Sequence, residues 1–370
     1  MKTREFVDIV AGLCNDILLK KKQPPLPDLS VKDWDRLLTF ASMQGVLPVI
    51  APLFTDFETE DMQLRVMLVE WYGSSQECHQ GYQLRIYNMR ELAKIFAEEG
   101  IDIMFMKGAA LAQLYPNPKW RVFSDIDFYL FGDFERGLWV MSKHGIRNSE
   151  YPHHHTQASL NGILLENHYD FVERANHRCD LILDDALKAL AKKEGKSIPV
   201  TFLGGDIRNA YVMTPTMNAV FLMRHTSAHF VSETIPLRML YDWALFLGQQ
   251  GQDVDWPLVT GLYTQSGMTR FAGIVQQILR THLEYECKDC PIAPGTQEDA
   301  EKVWESIIYP PEQDPYKGGT LHYYLFETRT FFANRWKHKI VYPGESFTLL
   351  FLKYVWFGIR RMTGTLNIEH

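Results

Sequence analysis

The apolar residues of this chain follow two different periods. Up to about residue 100, and again from about residue 214 to residue 285, they recur at the spacing of amphipathic helices. Between these regions they form short continuous runs, which are typical of buried strands. The pattern therefore predicts a sheet in the middle of the chain, with helical regions before and after it.

Capping residues mark the ends of several predicted helices. Ser30, followed by Asp33, resembles a capping box at the start of a helix. Gly100 follows a later helix and suits a C-terminal cap directly before the first predicted strand. Thr214-Pro215 begins the second helical region, because proline is tolerated in the first turn of a helix.

The first predicted strand ends at a lysine and a glycine. An apolar run at residues 103–106 predicts the strand, and Lys107-Gly108 follows it before the apolar segment at residues 109–115. A glycine at the end of a strand lets the backbone approach a ligand closely. This turn is therefore a candidate binding position.

The second predicted strand, at residues 123–130, carries two carboxylates separated by one residue. Side chains alternate across a strand, so Asp125 and Asp127 project to the same face. Like charges this close repel each other and are tolerated where a cation compensates them, and carboxylate oxygens suit Mg²⁺ or Mn²⁺. A simpler alternative remains open, in which Asp125 caps a turn and Asp127 is solvated at the end of the strand.

Composition and charge restrict the class of protein. With 370 residues, of which 46% are hydrophobic and 22% charged, the chain is long enough for two or three globular domains. The net charge of −7 argues against binding to an extended nucleic acid. The five cysteines fit free thiols, and the N-terminal residues lack the apolar core of a secretory signal, so we expect a cytoplasmic protein.

Two groups of histidines are candidate metal ligands. His153, His154 and His155 are consecutive, but neighbouring side chains on an extended chain point to opposite faces. We therefore expect a polar loop or an edge strand there. His225 and His229 lie one helical turn apart without the H-E-x-x-H pattern of zinc enzymes, so we expect a hydrogen-bonded pair that lines the cleft or the core.

A set of short motifs resembles one family of bacterial proteins. The motifs are Lys107-Gly108-Ala109-Ala110, Tyr115-Pro116, Arg121 and Asp125-Ile126-Asp127, preceded by a D-W-x-x-L-L run that starts at Asp33. They resemble the uncharacterised nucleotidyltransferases, which belong to the DNA polymerase β-like superfamily. The resemblance implies an α+β fold, in which a polymerase β-like core of a small mixed sheet and helices is flanked by N- and C-terminal helical regions.

The resemblance also implies a third metal carboxylate. Glu166-Asn167-His168 matches the E-x-H of the family, and side-chain alternation places Glu166 and His168 on one face of a strand. Glu166 is therefore expected to complete the catalytic and metal-binding set with Asp125 and Asp127. Asp170 shares the predicted face and is the reserve candidate, and the alternative is that Glu166 is only a solvent-facing residue.

The resemblance also implies roles for further residues. The helical half of the family carries a histidine, an arginine and D-x-A, here matched by Arg238 and Asp242, which could pair across one helical turn. The nucleotide is expected to bind Lys107, Gly108, Ala109, Arg121 and Ser124. The cleft is expected to be lined by His168, Asp170, His225, His229, Arg238 and Asp242.

The implied activity is a metal-dependent transfer of a nucleoside monophosphate from a nucleoside triphosphate to a hydroxyl acceptor, with release of pyrophosphate. Mg²⁺ or Mn²⁺ is the expected cofactor, and the acceptor is a small molecule, a protein or an RNA end. The alternative is a catalytically silent nucleotide-binding or scaffold protein of the same fold.

Four regions are expected along the chain. They are an N-terminal helical region at residues 1–100, the nucleotidyltransferase core at 101–213, a helical region closing the cleft at 214–286, and a C-terminal helical tail at 287–370. The tail contains an apolar and aromatic stretch at residues 347–357. That stretch is shorter than a membrane-spanning helix, so we expect it to dock on the core, with a membrane-surface or partner-binding helix as the alternative.

Overall fold

The computed structural model describes residues 3–55, 57–148, 154–174, 177–308 and 319–362. Helices occupy the first part of this described chain. They are α1 (Thr3–Cys14), α2 (Val31–Met43), α3 (Leu47–Ile50) and α4 (Met62–Glu98). A π-helical turn, Asn15–Leu19, continues α1, and a 3₁₀ turn, Ala51–Phe54, follows α3.

The middle part of the chain contains the strands. They are β1 (Ile103–Met106), β2 (Asp125–Tyr129), β3 (His155–Leu160), β4 (Ile163–His168) and β5 (Ala210–Val212). The helices between them are α5 (Gly108–Ala112), α6 (Phe134–Lys143) and α7 (Arg178–Glu194), and a 3₁₀ turn, Pro118–Trp120, precedes β2.

Helices occupy the rest of the described chain. They are α8 (Pro215–Ser232), α9 (Leu237–Gln250), α10 (Trp256–Ser266), α11 (Thr269–His282), α12 (Gln297–Ile308), α13 (Gly319–Ala333), α14 (Arg335–Val341) and α15 (Phe347–Met362). A 3₁₀ turn, Gly251–Asp253, joins α9 to α10.

The sheet is small and mixed, with the strand order β3-β4-β2-β1-β5. Strand β1 is antiparallel to β2 and parallel to β5. Strand β4 is parallel to β2 and antiparallel to β3, which forms one edge of the sheet. The predicted α+β fold, a small mixed sheet between helical regions, is confirmed.

Local signals set three helix ends as predicted. The Ser30 side chain accepts a hydrogen bond from the Asp33 N–H, and the Thr214 side chain accepts one from the Met217 N–H. Each bond satisfies a backbone donor that the first turn of a helix leaves unpaired. Gly100 follows α4 with a φ of +67°, a left-handed conformation that glycine adopts without strain.

Both faces of β1 are buried, which explains its continuous apolar run. Ile103 and Phe105 belong to a smaller core that α4 and α6 share with the sheet. Met104 and Met106 belong to a larger core, which joins the N-terminal helices to α8–α11. Because Met106 is the cross-strand partner of Asp127, the Asp127 side chain lies on the face of the sheet that is turned toward that helical layer.

The aromatic C-terminal stretch forms α15, which packs against α13. The ring centroid of Phe351 lies 5.6 Å from that of Phe331 and 4.9 Å from that of Phe332. Leu349 and Trp356 of α15 are 62% and 56% exposed, and the expected docking of this helix on the core stays a prediction. Among the described residues, no helix combines the length and the apolar character needed to cross a membrane.

Candidate active site

Three carboxylates lie on one face of two adjacent strands. Asp125 and Asp127 are two residues apart on β2, and Glu166 on β4 is the register partner of Asp127. Partner residues of neighbouring strands point to the same face of a sheet, so the three side chains share that face. The structure thus brings together the residues that the sequence predicts as metal ligands, and their role as ligands stays a prediction.

Lys107 compensates the charge of Asp127. Its Nζ atom lies 2.7 Å from Asp127 Oδ1, and the two side chains are 16% and 1% exposed. Burial alone would lower the pKa of Lys107, but the charges of Asp127 and Asp125 more than offset this effect and raise the pKa above its ordinary value. The ammonium group is therefore charged at neutral pH and balances part of the carboxylate charge.

The backbone at Lys107 has an uncommon conformation. Its φ is +46°, and the φ of Gly108 is +28°. A positive φ is rare for any residue except glycine, and such strain is often found at functional sites. A Cβ added to Gly108 would lie 3.0 Å from Phe123 Cδ2, so the chain passes too close to this ring for a larger residue.

His168 is a second partner of Asp127. Its Nε2 atom lies 3.0 Å from Asp127 Oδ1 and 3.7 Å from Glu166 Oε2, and its Nδ1 atom lies 3.2 Å from the carbonyl oxygen of Asp170. Burial opposes the charged imidazole, but the hydrogen bonds to Asp127 and Glu166 raise the pKa of His168 above its ordinary value. Burial also opposes the Asp127 carboxylate, but Lys107 and His168 hold its pKa well below the usual range.

Asp125 is in the opposite situation. Burial and the neighbouring charge of Asp127 raise the pKa of Asp125, and the positive charge of Lys107 offsets this only in part. A carboxylate whose charged form is disfavoured in this way gains stability when another cation approaches. A metal ion bound beside Asp125 would therefore favour the charged form of this carboxylate.

Asp242 on α9 binds Arg121 and not Arg238. The Nε and Nη2 atoms of Arg121 each lie 2.8 Å from an oxygen of Asp242, and Nη1 donates to the Gly108 carbonyl at 3.1 Å. The Tyr115 hydroxyl also donates to Asp242, at 2.9 Å. The expected pair of Arg238 and Asp242 is wrong, because the buried guanidinium of Arg121 needs a countercharge and engages the carboxylate through two hydrogen bonds.

Arg238 remains as a second cation at the site. It is largely buried, and burial together with the charge of Arg121 lowers its pKa from the ordinary value for arginine. Its Nη1 atom donates to the carbonyl oxygen of Val122. Within the described part of the chain, Arg238 forms no salt bridge with a carboxylate.

A pocket of about 160 Å³ lies between the carboxylate face of the sheet and helices α8 and α9. Most residues that the sequence predicts for the site line it. They are Lys107, Gly108, Arg121, Ser124, Asp125, Asp127, His225, His229, Arg238 and Asp242.

Four predicted residues are placed differently. Glu166 and His168 lie on β4 beside the pocket, and the Ala109 side chain belongs to the smaller core. Asp170 does not join the carboxylates, and its side chain contacts Lys188. The alternation that predicts Asp170 beside Glu166 fails because β4 ends at His168.

His225 and His229 form the wall of the pocket on α8. Their rings meet edge to face with 4.7 Å between the centroids, and this ring contact replaces the expected hydrogen bond, which the described structure does not contain. Burial and the charge of Lys107 lower the pKa of His225 well below its ordinary value, and the same causes lower the pKa of His229 to about 4. Both imidazoles are therefore neutral at neutral pH.

The donor atoms beside the pocket fit a divalent metal ion. Oxygen or nitrogen atoms of Asp127, Glu166 and His168 lie within 4.8 Å of one another. With Asp125 on the same face, the set is rich in carboxylate oxygens, which suit Mg²⁺ and Mn²⁺.

Histidines form a second group of potential ligands. Atoms of His154, His155 and His168 also lie within 4.8 Å of one another. His155 begins the edge strand β3 as expected, and His154 lies close to it, whereas the expectation that the three consecutive histidines cannot all converge stays a prediction. His154 lies in the turn before the strand, where alternation does not apply, and the two ring centroids are 4.6 Å apart. His153 lies outside the described residues.

Sequence reasoning does not identify all residues of the site. Arg85 on α4 donates from Nε to the Ser124 carbonyl at 3.1 Å, and its guanidinium lies 5.3 Å from the centre of the Phe123 ring. Nothing in the sequence around Arg85 indicates this contact, because the two segments meet only in the folded chain. Tyr115 is visible within the Tyr-Pro motif, but its bond to Asp242 also depends on the fold.

A small mixed sheet between helices, with carboxylates on two adjacent strands in or beside a pocket, is consistent with the core of a nucleotidyltransferase. The comparison of the sequence with protein families agrees with this class. The chain matches the family of uncharacterised nucleotidyltransferases over residues 30–283, more than half of its length, and it belongs to this family. No curated protein and no solved structure matches the chain.

Proposed function

We propose that the chain transfers a nucleoside monophosphate from a nucleoside triphosphate to a hydroxyl group and releases pyrophosphate. One observation carries the proposal. Asp125, Asp127 and Glu166 share a face beside a pocket that is also lined by the cations of Lys107 and Arg238. A metal-bound triphosphate requires this combination, because the metal needs anionic ligands and the phosphates need cations.

The proposed reaction forms one bond and breaks another at the α-phosphorus. The hydroxyl oxygen of the acceptor attacks this atom, and the bond to the oxygen that bridges the α- and β-phosphates breaks. Pyrophosphate leaves with the bridging oxygen. We propose that the carboxylate of Glu166, at the margin of the carboxylate face, accepts the hydroxyl proton.

Asp125, Asp127 and Glu166 would hold Mg²⁺ or Mn²⁺, which supplies charge neutralisation at the phosphoryl oxygens and makes the acceptor hydroxyl more acidic. Lys107 is proposed to contact the triphosphate, since its ammonium group already faces the pocket. Arg238 supplies a second cation, because no carboxylate partner among the described residues neutralises it.

The remaining residues of the pocket position these groups. Arg121 contacts both the Gly108 carbonyl and Asp242, so it holds the turn after β1 against α9. The backbone at Gly108 and Ala109, together with Ser124, is proposed to complete the phosphate contacts. The neutral imidazoles of His225 and His229 line the opposite wall without adding charge there.

Two radioactive labels test the proposal. Each nucleoside triphosphate, labelled either at the α- or at the γ-phosphate, is incubated with the protein, Mn²⁺ and fractionated pools of metabolites, proteins and RNA. The proposal predicts transfer of the α-label only. Asp125→Asn should abolish this transfer, whereas Asp299→Asn, which changes a carboxylate on the distant helix α12, should leave it unchanged.

Two outcomes would contradict the proposal. Transfer of the γ-label would indicate a phosphotransferase. Failure of every nucleotide to label any pool, with the protein shown to be folded, would favour a nucleotide-binding or scaffold protein without catalytic activity.

A further inference from the structure

We propose that His154, His155 and His168 form a second metal site, which takes a transition-metal ion that prefers imidazole ligands, such as Zn²⁺. The three ring centroids are 4.6, 5.0 and 5.2 Å apart. None of these histidines belongs to the described lining of the nucleotide pocket. The inference does not depend on the proposed transfer reaction.

The nitrogen atoms are close to the separation that a metal ion requires. One ring nitrogen from each histidine lies within 4.8 Å of one from each of the others. Around a tetrahedral Zn²⁺ with nitrogen ligands at about 2.05 Å, two nitrogens are about 3.4 Å apart. The proposal requires that the side chains rotate to bring the nitrogens closer together when the metal ion binds.

The backbone holds the three residues in place. His155 and His168 are cross-strand partners at the first residue of β3 and the last residue of β4. The His154 carbonyl accepts hydrogen bonds from the N–H groups of Tyr169 and Asp170, at 3.1 and 3.2 Å. Ligands on paired strands are positioned more rigidly than ligands on a free loop.

His168 already has the surroundings of a metal-bound histidine. Its Nδ1 atom lies 3.2 Å from the Asp170 carbonyl oxygen, which can only accept, so Nδ1 carries the hydrogen of that contact. Its Nε2 atom faces oxygens of Asp127 and Glu166, so this nitrogen carries either a proton or a metal ion. A second ring nitrogen bonded to a backbone carbonyl is the usual way in which proteins orient a histidine ligand.

His155 provides an independent observation. Its ring nitrogens are buried, and within the described part of the chain neither makes a hydrogen bond. Buried polar groups normally have partners, so a ligand is expected at this imidazole. Glu166 Oε1 lies 3.4 Å from His155 Nε2, but this carboxylate is assigned to the nucleotide site, so water would complete the coordination. Three imidazoles favour Zn²⁺ or Co²⁺ strongly over Mg²⁺.

Cobalt titration tests the site, because Co²⁺ with imidazole ligands absorbs visible light. Untagged full-length protein, stripped of metals, is titrated with Co²⁺ in the presence of excess Mg²⁺ and without nucleotide. We expect one Co²⁺ per chain, displaced by Zn²⁺. His154→Ala and His155→Ala should each weaken Co²⁺ binding by at least about 10-fold. Replacing a residue that only orients a metal ligand already costs about 10-fold in affinity, and replacing the ligand itself should cost more.

Two control variants separate this site from the nucleotide site and from other histidines. Asp125→Asn removes a carboxylate of the nucleotide pocket and should leave Co²⁺ affinity unchanged. His79→Ala removes a histidine of α4 that lies outside the group, and it should also have no effect. Circular dichroism confirms that each variant is folded.

Three results would overturn the proposal. They are the absence of Co²⁺ binding at the expected stoichiometry, displacement of Co²⁺ by Mg²⁺, and undiminished affinity in either the His154→Ala or the His155→Ala variant. Loss of activity in Asp125→Asn with intact Co²⁺ binding would support both proposals separately.

Discussion

The Nζ atom of Lys107 lies 2.7 Å from Oδ1 of Asp127, and the carboxylate is almost completely buried. Lys107 lies at the strained turn after β1. Its charged ammonium group is a cation that the chain itself supplies to the carboxylate face. A divalent metal ion at Asp127 would perform the same electrostatic function. The ammonium group would then be available to the phosphates of a nucleotide.

Replacement of Lys107 by methionine should make the stability of the protein depend on metal. Loss of the ammonium leaves Asp127 buried without this cation, which costs about 3–5 kcal/mol in free energy of unfolding for a buried pair. Mn²⁺ should then raise the melting temperature more in Lys107→Met than in the wild type. Thermal unfolding of both proteins with and without Mn²⁺ measures this difference in melting temperature.

Lys94→Met is the matched control for that experiment. Lys94 forms an exposed salt bridge with Glu91 on α4, and it does not line the pocket. Its loss should change stability by less than about 1 kcal/mol and leave the Mn²⁺ effect at the wild-type size. An equal Mn²⁺ effect in all three proteins would contradict the role assigned to Lys107.

Disruption of the Arg121–Asp242 pair should be far more damaging than disruption of an exposed pair with similar geometry. Asp242→Asn leaves the buried guanidinium of Arg121 without a countercharge and should lower the free energy of unfolding by about 3–5 kcal/mol. Arg270 and Asp299 also form a bidentate pair, but Arg270 is half exposed. Asp299→Asn should cost at most about 1 kcal/mol. Urea unfolding compares the two variants, and similar losses would show that burial does not govern the Arg121 pair.

Metal-dependent nucleotide binding should weaken as the pH falls. The pKa of Asp125 is raised by burial and by Asp127, so this carboxyl takes up a proton at a higher pH than an ordinary aspartate. The pKa of His168 is also raised, so its imidazolium form competes with a metal ion for Asp127 over a wider pH range. Both protonations oppose metal binding, and affinity should therefore increase with pH through this region and then become constant.

Calorimetric titration of Mn²⁺ and nucleotide at a series of pH values measures this dependence. His168→Gln removes one of the two titrating groups, so its affinity should vary less steeply with pH than that of the wild type. An affinity that stays constant from neutral pH down to the ordinary pKa range of aspartate would exclude the assigned role of Asp125.

The parts of the fold that depend on near neighbours in the sequence are predictable. Ser30 and Thr214 cap helices because each acts on a backbone N–H only three residues away. The shared face of Asp125 and Asp127 follows from alternation within a single strand. Motif resemblance adds Glu166, and the register of β2 and β4 places it beside Asp127.

The parts that depend on burial and distant contacts are not predictable in this way. Helical spacing allows Asp242 to pair with Arg238, but the carboxylate binds Arg121 because that guanidinium is enclosed in the fold. The alternation rule also fails wherever a strand ends earlier than its apolar pattern. For that reason it misplaces Asp170, because β4 ends at His168.

The most direct test of the carboxylate site is calorimetric titration of ATP, GTP, CTP and UTP into the purified protein with Mg²⁺ or Mn²⁺. Asp125→Asn and the exposed control Asp299→Asn are titrated in parallel. The account predicts that at least one nucleotide binds only with metal, that Asp299→Asn preserves this binding, and that Asp125→Asn loses it. Equal binding to Asp125→Asn, or no binding of any nucleotide to the folded wild type, would contradict it.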